Sequence, residues 1–184
     1  MKRAFDIVAS GLGLLVLSPV LLGVALLIKL SSRGPVLFRH ERVGRNFRPF
    51  SMYKFRTMVP DAPRLGGPLT AGDDPRITTI GRVLRKTKVD ELPQLFNVLR
   101  GEMSLVGPRP PIPSEVERYE EWHHRRLEVT PGITGLWQVS GRSELSFDEM
   151  VMLDLYYIEN WSLALDLQIL GRTIPAVFRA SGAF

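Results

Sequence analysis

Lys86 to Pro111 reads KTKVDELPQLFNVLRGEMSLVGPRPP and sets an acidic pair, a short helix, a strand and an arginine turn in consecutive elements. Asp90 has the side chain of an N-cap, Pro93 suits a first helical turn, and Gly101 follows the last apolar residues at the C′ position. The spacing predicts roughly ten residues of helix, with Leu92, Leu95, Phe96 and Leu99 on one side. Ser104 to Val106 follows as a short strand. With strands upstream and helices downstream, the fold class is α+β, and the acidic pair Asp90-Glu91 sits at the start of its central helix.

A helix start carries free N–H groups and partial positive charge, so it holds a carboxylate ionised and attracts phosphate. Arg82, Arg85, Lys86 and Lys88 precede the pair, and Arg109 follows in the rigid GPRPP turn. An ionised Asp among arginines with a Mg²⁺ ion can attack phosphorus and form an acyl phosphate. The same residues also make an ordinary capped helix with a solvated basic flank.

The chain has 184 residues and a formal charge of +5, so its partners are anionic: nucleic acid, anionic lipid or a phosphorylated small molecule. With no cysteine, disulfide scaffolds and thiolate metal sites are excluded. Mean hydropathy is +0.03, high for so basic a chain, and the apolarity concentrates at the N-terminus. Leu12 to Ile28 is apolar except for Ser18, about 26 Å of helix and barely a bilayer's hydrocarbon thickness. Basic residues flank it on both sides, Lys2 and Arg3 before and Lys29, Arg33, Arg39 and Arg42 after, so both ends prefer the cytoplasm. No small-x-small cleavage site follows, against a signal peptide. Ser18-Pro19 at the midpoint supplies the break that a helix entering and returning requires, although a kinked spanning helix also fits.

Pro35 to Arg42 and Phe50 to Met58 alternate like strands and join at Gly44, Arg45 and Asn46. The expectation is a hairpin with Arg39, Lys54 and Arg56 lining an anion site or a solvated face. Pro60 to Arg76 reads as a loop long enough for a lid, with Asp73-Asp74-Pro75 a turn and Thr79 the cap of a short helix. Ser114 opens a helix to about Leu127, whose acidic start and basic end match the helix dipole. The adjacent His123 and His124 diverge on a helix and make a poor metal pair. Gly135 to Val139 reads as a strand ending at Gly141-Arg142. Ser146 and Glu149 form a capping box for a helix through Glu159, and Ser162 caps a last one. On that helix Leu163, Leu167, Leu170, Ile174 and Val177 share an apolar face, fit for the core or a membrane interface, with Asp166 and Arg172 off it and Pro175 bending or ending it.

The Lys86 to Pro111 run closely resembles the signature of the bacterial sugar transferase family, the monotopic polyprenyl-phosphate phosphoglycosyl transferases. The resemblance extends through RVGRNFRPFSMYKFRTM (Arg42 to Met58), PGITGLWQVSGR (Pro131 to Arg142) and LDLYYIENWSLALDLQIL (Leu153 to Leu170), nearly the whole chain. It implies transfer of a sugar 1-phosphate from a nucleotide diphosphate sugar, with uridine the expected nucleotide, to a polyprenyl phosphate such as undecaprenyl phosphate. That is the first membrane step of surface polysaccharide or glycoconjugate synthesis. Carried over, it makes Asp90 the nucleophile and Mg²⁺ ligand, Glu91 its acid/base partner, and Arg85 and Arg109 phosphate-binding groups. Lys54, Arg56 and Arg142 become further substrate-binding candidates, and Asp166 a peripheral one. Residues 1–32 become a re-entrant helix broken at Ser18 and Pro19, and residues 33–184 a catalytic domain on the cytoplasmic face of the inner membrane. The expected partners are donor, lipid acceptor and membrane, with no nucleic acid and a homodimer left open. Two positions depart from the family pattern: Lys88, where a small hydroxyl residue is usual, and Phe47, where Gly is common. The alternative reading is a non-catalytic basic module that clamps anionic lipid or nucleic acid.

Overall fold

The computed structural model describes residues 1–65, 74–141 and 144–178. Its longest element, α1 (Lys2–Ser31), is a single helix that continues through Pro19. The expected break at Ser18-Pro19 does not interrupt it, for a local reason. Pro19 has no N–H to offer the Leu15 carbonyl, and the Ser18 hydroxyl donates to that carbonyl instead, at 2.7 Å. α1 is long and apolar enough to cross a membrane.

One face of α1 lies along the rest of the protein, through positions spaced by three and four: Asp6, Ser10, Gly13, Leu17, Leu21, Val24 and Ile28. The opposite face, with Val8, Leu12, Leu15, Leu22, Leu26 and Leu30, is exposed. Polar groups pin both ends. Asp6 accepts from the Ser104 hydroxyl at 2.8 Å and the Leu105 N–H at 3.0 Å. Arg3 donates to the carbonyls of Val98 and Leu99 at the end of a second helix, where a cation suits the dipole. At the other end Arg56 donates to Ser32 O, Ser32 Oγ and Arg33 O at 2.9, 2.8 and 2.8 Å, closing the carbonyl end of α1.

The expected hairpin is present as β1 (Leu37–Val43) and β2 (Pro49–Phe55), antiparallel, joined by a turn in which Asn46 and Phe47 both have positive φ. Phe38 pairs with Lys54, His40 with Met52 and Arg42 with Phe50, so these residues share a face. Arg39 pairs with Tyr53 on the other, so Arg39 does not join Lys54 as expected.

After the single turn α2 (Ala62–Leu65), α3 (Thr79–Thr87) begins at Thr78, one residue before the expected cap, with Thr78 Oγ1 accepting the Gly81 N–H at 2.9 Å. Gly81 is required there: a Cβ on it would lie 2.0 Å from the Thr57 carbonyl oxygen. α3 therefore presses directly on the backbone that leaves β2, two residues past its end.

The central helix α4 (Gln94–Arg100) starts later than expected. Lys88, left-handed at φ 58°, ends α3 and opens a 3₁₀ turn over Val89–Glu91, so Asp90 is not an N-cap. The N–H groups of Glu91 and Leu92 already bond to Lys88 O and Val89 O. The buried face of α4 is Gln94, Leu95, Asn97 and Val98, whereas Phe96, expected inside, is 48% exposed. Asn97 is inward because β2's outer edge needs partners: it accepts from Tyr53 N–H at 3.0 Å and donates to Ser51 O at 2.8 Å. Gly101 ends α4 in the left-handed region, as read from its position.

β3 (Ser104–Val106) pairs in parallel with β4 (Gly132–Thr134). The chains cross so closely that a Cβ on Gly132 would lie 2.1 Å from Gly107 N. The expected strand at Gly135 to Val139 is instead helix α6 (Leu136–Ser140). The expected helix from Ser114 to Leu127 is two pieces, α5 (Pro113–Val116) and a 3₁₀ segment at Glu121–Leu127. α7 (Phe147–Glu159) has the predicted Ser146/Glu149 capping box.

In α8 (Leu163–Phe178) the apolar face, expected at either the core or a membrane interface, is turned outward. Asp166 and Ile169 are buried, Leu163, Leu167 and Ile174 are exposed, and the helix passes through Pro175.

Among the described residues the apolar interior falls into three small clusters. Ile28, Phe55 and Leu84 join α1 to β2 and α3; Met52, Val98 and Met103 lie under the hairpin; Val106, Leu136, Tyr157 and Ile169 hold the C-terminal half.

Candidate active site

Asp90 and Glu91 sit where α3, β2 and the GPRPP turn meet. Glu91 pairs with Lys54, Nζ to Oε1 2.8 Å, with both side chains mostly covered. Burial pushes the Glu91 carboxyl up, but Lys54 and Arg109 outweigh it and hold it near 2. Asp90 is the contrary case. It is 7% exposed, its Oδ1 has no hydrogen-bond partner, and burial followed by the Glu91 charge pushes it up to about 6 against the pull of Lys54, Lys88 and Arg85. A helix start was expected to hold Asp90 ionised; the neighbouring N–H groups are instead spent in the 3₁₀ turn, and the nearby cations only partly offset its burial.

Five cations surround the pair. Arg85 donates through Nε to Thr57 Oγ1 at 2.9 Å, and burial lowers its pKa although Asp90 opposes the shift. Burial likewise lowers Lys88 against the attraction of Glu91 and Asp90. On the other side of the pair a small cavity is lined by Arg42, Lys54, Glu91, Gln94 and Arg109, floored by Met52 and Ile133. Burial, then the Arg109 charge, brings Arg42 down to about 10, and burial, then Arg42, brings His40 down to about 4.

Among the expected site residues, Lys54, Arg85 and Arg109 thus join Asp90 and Glu91. Arg56 is engaged with the end of α1. Asp166 is 1% exposed and accepts from Lys2 Nζ at 2.6 Å, Tyr157 OH at 2.6 Å and Trp161 Nε1 at 3.1 Å. Arg142 lies outside the described residues, as do residues 66–73 of the expected lid, while Asp74 pairs with Arg76 at 2.6 Å. His123 is held by the Glu120 N–H at Nδ1 and faces Asp148 at 3.3 Å.

Arg42, His40 and Gln94 were missed. Strand parity carried the signal for the first two: once a hairpin is drawn, even-numbered residues on β1 share the face of Lys54.

Chemically, the site offers one buried carboxylate without a donor, one held ionised, and an excess of cations, a setting for phosphate groups rather than for a neutral substrate. A family profile described as bacterial sugar transferase matches residues 1–180. The chain belongs to the bacterial sugar transferase family.

It is 43% identical to the exopolysaccharide production protein ExoY of Sinorhizobium fredii, over all of this chain and 88% of that protein. It is 44% identical to the undecaprenyl-phosphate galactose phosphotransferase of Salmonella typhimurium and 50% to the undecaprenyl-phosphate glucose phosphotransferase of Komagataeibacter xylinus. Those matches cover all of this chain but 42% and 37% of the relatives. This sugar transferase therefore spans most of the shorter relative and less than half of the longer ones. Sugar transferases are enzymes, which removes the reading as a non-catalytic basic module.

Proposed function

We propose that this enzyme moves a sugar 1-phosphate from a uridine diphosphate sugar to a polyprenyl phosphate through a covalent phosphoryl-Asp90 intermediate. The observation that carries the proposal is Asp90 itself: a buried carboxylate, its Oδ1 without a donor, faced by Lys54, Lys88 and Arg85. The names of the galactose and glucose phosphotransferase relatives support the lipid carrier.

In the first step Asp90 attacks the β-phosphorus, the bond from that phosphorus to the bridging oxygen breaks, and its electron pair leaves on the nucleoside monophosphate. In the second step an oxygen of the polyprenyl phosphate attacks the same phosphorus and frees Asp90. Neither leaving group needs a proton, since one is a phosphate and the other a carboxylate. Glu91, held ionised near 2, accordingly serves less as the expected acid than as the group that fixes Lys54 at 2.8 Å.

The residues fit a shared Mg²⁺ site. No group of three or more metal-binding side chains occurs among the described residues, so an all-protein cage is not on offer. Asp90 provides a carboxylate oxygen free of donors, and Mg²⁺ ordinarily takes one or two carboxylates with substrate phosphates and water supplying the rest. When bound, the ion draws charge from the phosphoryl oxygens.

In this reading α1 lies unbroken in the cytoplasmic leaflet of the inner membrane, with both of its ends on the cytoplasmic side. Support comes from its two pinned ends. Asp6 and Arg3 bond to the same body that Arg56 ties to Ser32, so a helix crossing the bilayer would have to separate contacts that are all made at once. Its exposed row faces lipid, and the exposed residues of α8 add a second apolar contact.

Mass spectrometry of enzyme quenched after mixing with donor and Mg²⁺, without lipid, tests the chemistry. The expected result is up to one equivalent of nucleoside monophosphate and a sugar phosphate on the Asp90 peptide. An unmodified peptide, with initial rates that require both substrates bound together, would refute the covalent route in favour of direct attack by the lipid.

A further inference from the structure

The excess cations divide into two groups with the acidic pair between them. Arg85 interacts with Asp90 and the Asp74/Arg76 pair, on the side where α3 packs against α1. Arg42 and Arg109 lie on the Glu91 side, in a cavity whose lining comes from β1, β2, the 3₁₀ turn at Glu91, the start of α4, the GPRPP turn and β4 and includes no residue of α1 or α3. Arg42 is the unusual member. It is 7% exposed, donates through Nη1 to Pro110 O at 3.0 Å, and meets His40 Nδ1 through Nη2 at 3.2 Å, while its Nε is buried and has no acceptor. Pro110 adjoins Arg109, so one guanidinium both sets the turn that carries Arg109 and keeps an unsatisfied donor beside it. A buried cation left with a free N–H and a second arginine for neighbour is costly unless an anion enters.

We propose that the Arg42 and Arg109 cavity is the subsite for the phosphate of the departing nucleoside monophosphate. The inference rests on the phosphoglycosyl transfer reading and adds the order of groups across Asp90. The lipid phosphate approaches from the membrane helix, past Arg85. The water-soluble nucleotide occupies the side away from α1. As the bridging oxygen takes the electron pair of the broken bond, the added negative charge develops beside Arg42 and Arg109, so these two stabilise the leaving group and need transfer no proton to it. Arg42 acts partly through Arg109, by holding Pro110, and partly by its own free donor.

Uridine monophosphate is the probe. With the full chain in detergent or nanodiscs, its inhibition constant against donor and its direct binding are compared for the unmodified protein, Arg42→Lys and Arg42→Ala. Melting curves confirm that each variant folds, and Arg42→Lys keeps the charge should Arg42→Ala fail to. Arg42→Lys is expected to weaken uridine monophosphate about tenfold, as loss of a paired charge-assisted contact does. It is expected to raise donor KM while leaving the rate of transfer from preformed phosphoryl-enzyme to polyprenyl phosphate within about twofold. An unchanged affinity for the monophosphate, with the loss in the acceptor step instead, would overturn the assignment. Absence of monophosphate release from the unmodified enzyme with every donor would overturn the transfer reading beneath it, and is a separate result.

Discussion

Replacing Asp90 with Asn should abolish transfer and, at neutral pH, make the protein more stable. Burial and the Glu91 charge raise the Asp90 carboxyl from 3.8 to about 6 despite three nearby cations. A raised pKa means that the folded state prefers the neutral form. Below 3.8 the carboxyl is protonated folded and unfolded alike, and the substitution changes little by this route. As the pH rises through about 6, the unfolded chain has already ionised while the folded chain must ionise a 7%-exposed group, so the unmodified protein loses stability that the amide variant keeps. The difference between 3.8 and about 6 corresponds to roughly 3 kcal/mol, and to a melting-temperature gap of roughly 6–12 °C for a chain of this size. The measurement is thermal unfolding in detergent with EDTA, at pH 4.5 and pH 7.5, followed by tryptophan fluorescence. An Asn variant that melts no higher than the unmodified protein at pH 7.5, or a gap that does not change with pH, would show that Asp90 is not held against its charge.

Gly81→Ala should cost several kcal/mol and most of the activity, because its Cβ would meet the Thr57 carbonyl at 2.0 Å and lever α3, with Arg85 and Lys88, off the segment that follows β2. Melting temperature and kcat together check it, and a fully active, fully stable variant would contradict the close packing. Asp6→Ala leaves the Leu105 N–H and Ser104 hydroxyl without their acceptor, a loss of about 2–3 kcal/mol, seen as a lower melting temperature and faster proteolysis near α1.

Local chemistry made several elements readable. The Ser146/Glu149 box, the Gly101 terminus and the hairpin are each specified by residues a few positions apart, and each stands as read. The misreadings share a cause in partners distant along the chain. Asp90 looked like a cap until the preceding helix proved to end two residues earlier at Lys88. Gly135 to Val139 has strand-like residues, yet Gly132 and Gly107 fix the pairing earlier, and Leu136 and Val139 are then wanted in the C-terminal cluster as one side of a helix. In α8 the sequence left the apolar face open between the core and a membrane interface, and a distant set of partners decides it: Lys2, Tyr157 and Trp161 draw Asp166 inside and the leucines are left outside. Within the site, Lys54, Arg85, Asp90, Glu91 and Arg109 were readable from the motif. Arg42 was not, because its importance comes from a carbonyl sixty-eight residues away.

The boundary expected at residue 32 also changes meaning. An apolar helix joined to a polar domain suggests a detachable anchor, but α1 supplies Ile28, with Leu21, Val24 and Ala25, to the cluster that seats Phe55 and Leu84. Phe55 adjoins Lys54, and Leu84 adjoins Arg85. Asp6, 3% exposed on a helix otherwise rich in leucine and valine, would be expensive in lipid and is instead spent on β3, which leads into the Arg109 turn. Each side of the acidic pair is thus braced by a different part of α1. Removing α1 would uncover Phe55 and Leu84 behind one group of cations and leave Ser104 and Leu105 without their acceptor ahead of the Arg109 turn, so a domain cut at residue 33 should lose its site geometry even when kept soluble. The long apolar helix and the alignment of the cations around the acidic pair are one structural feature.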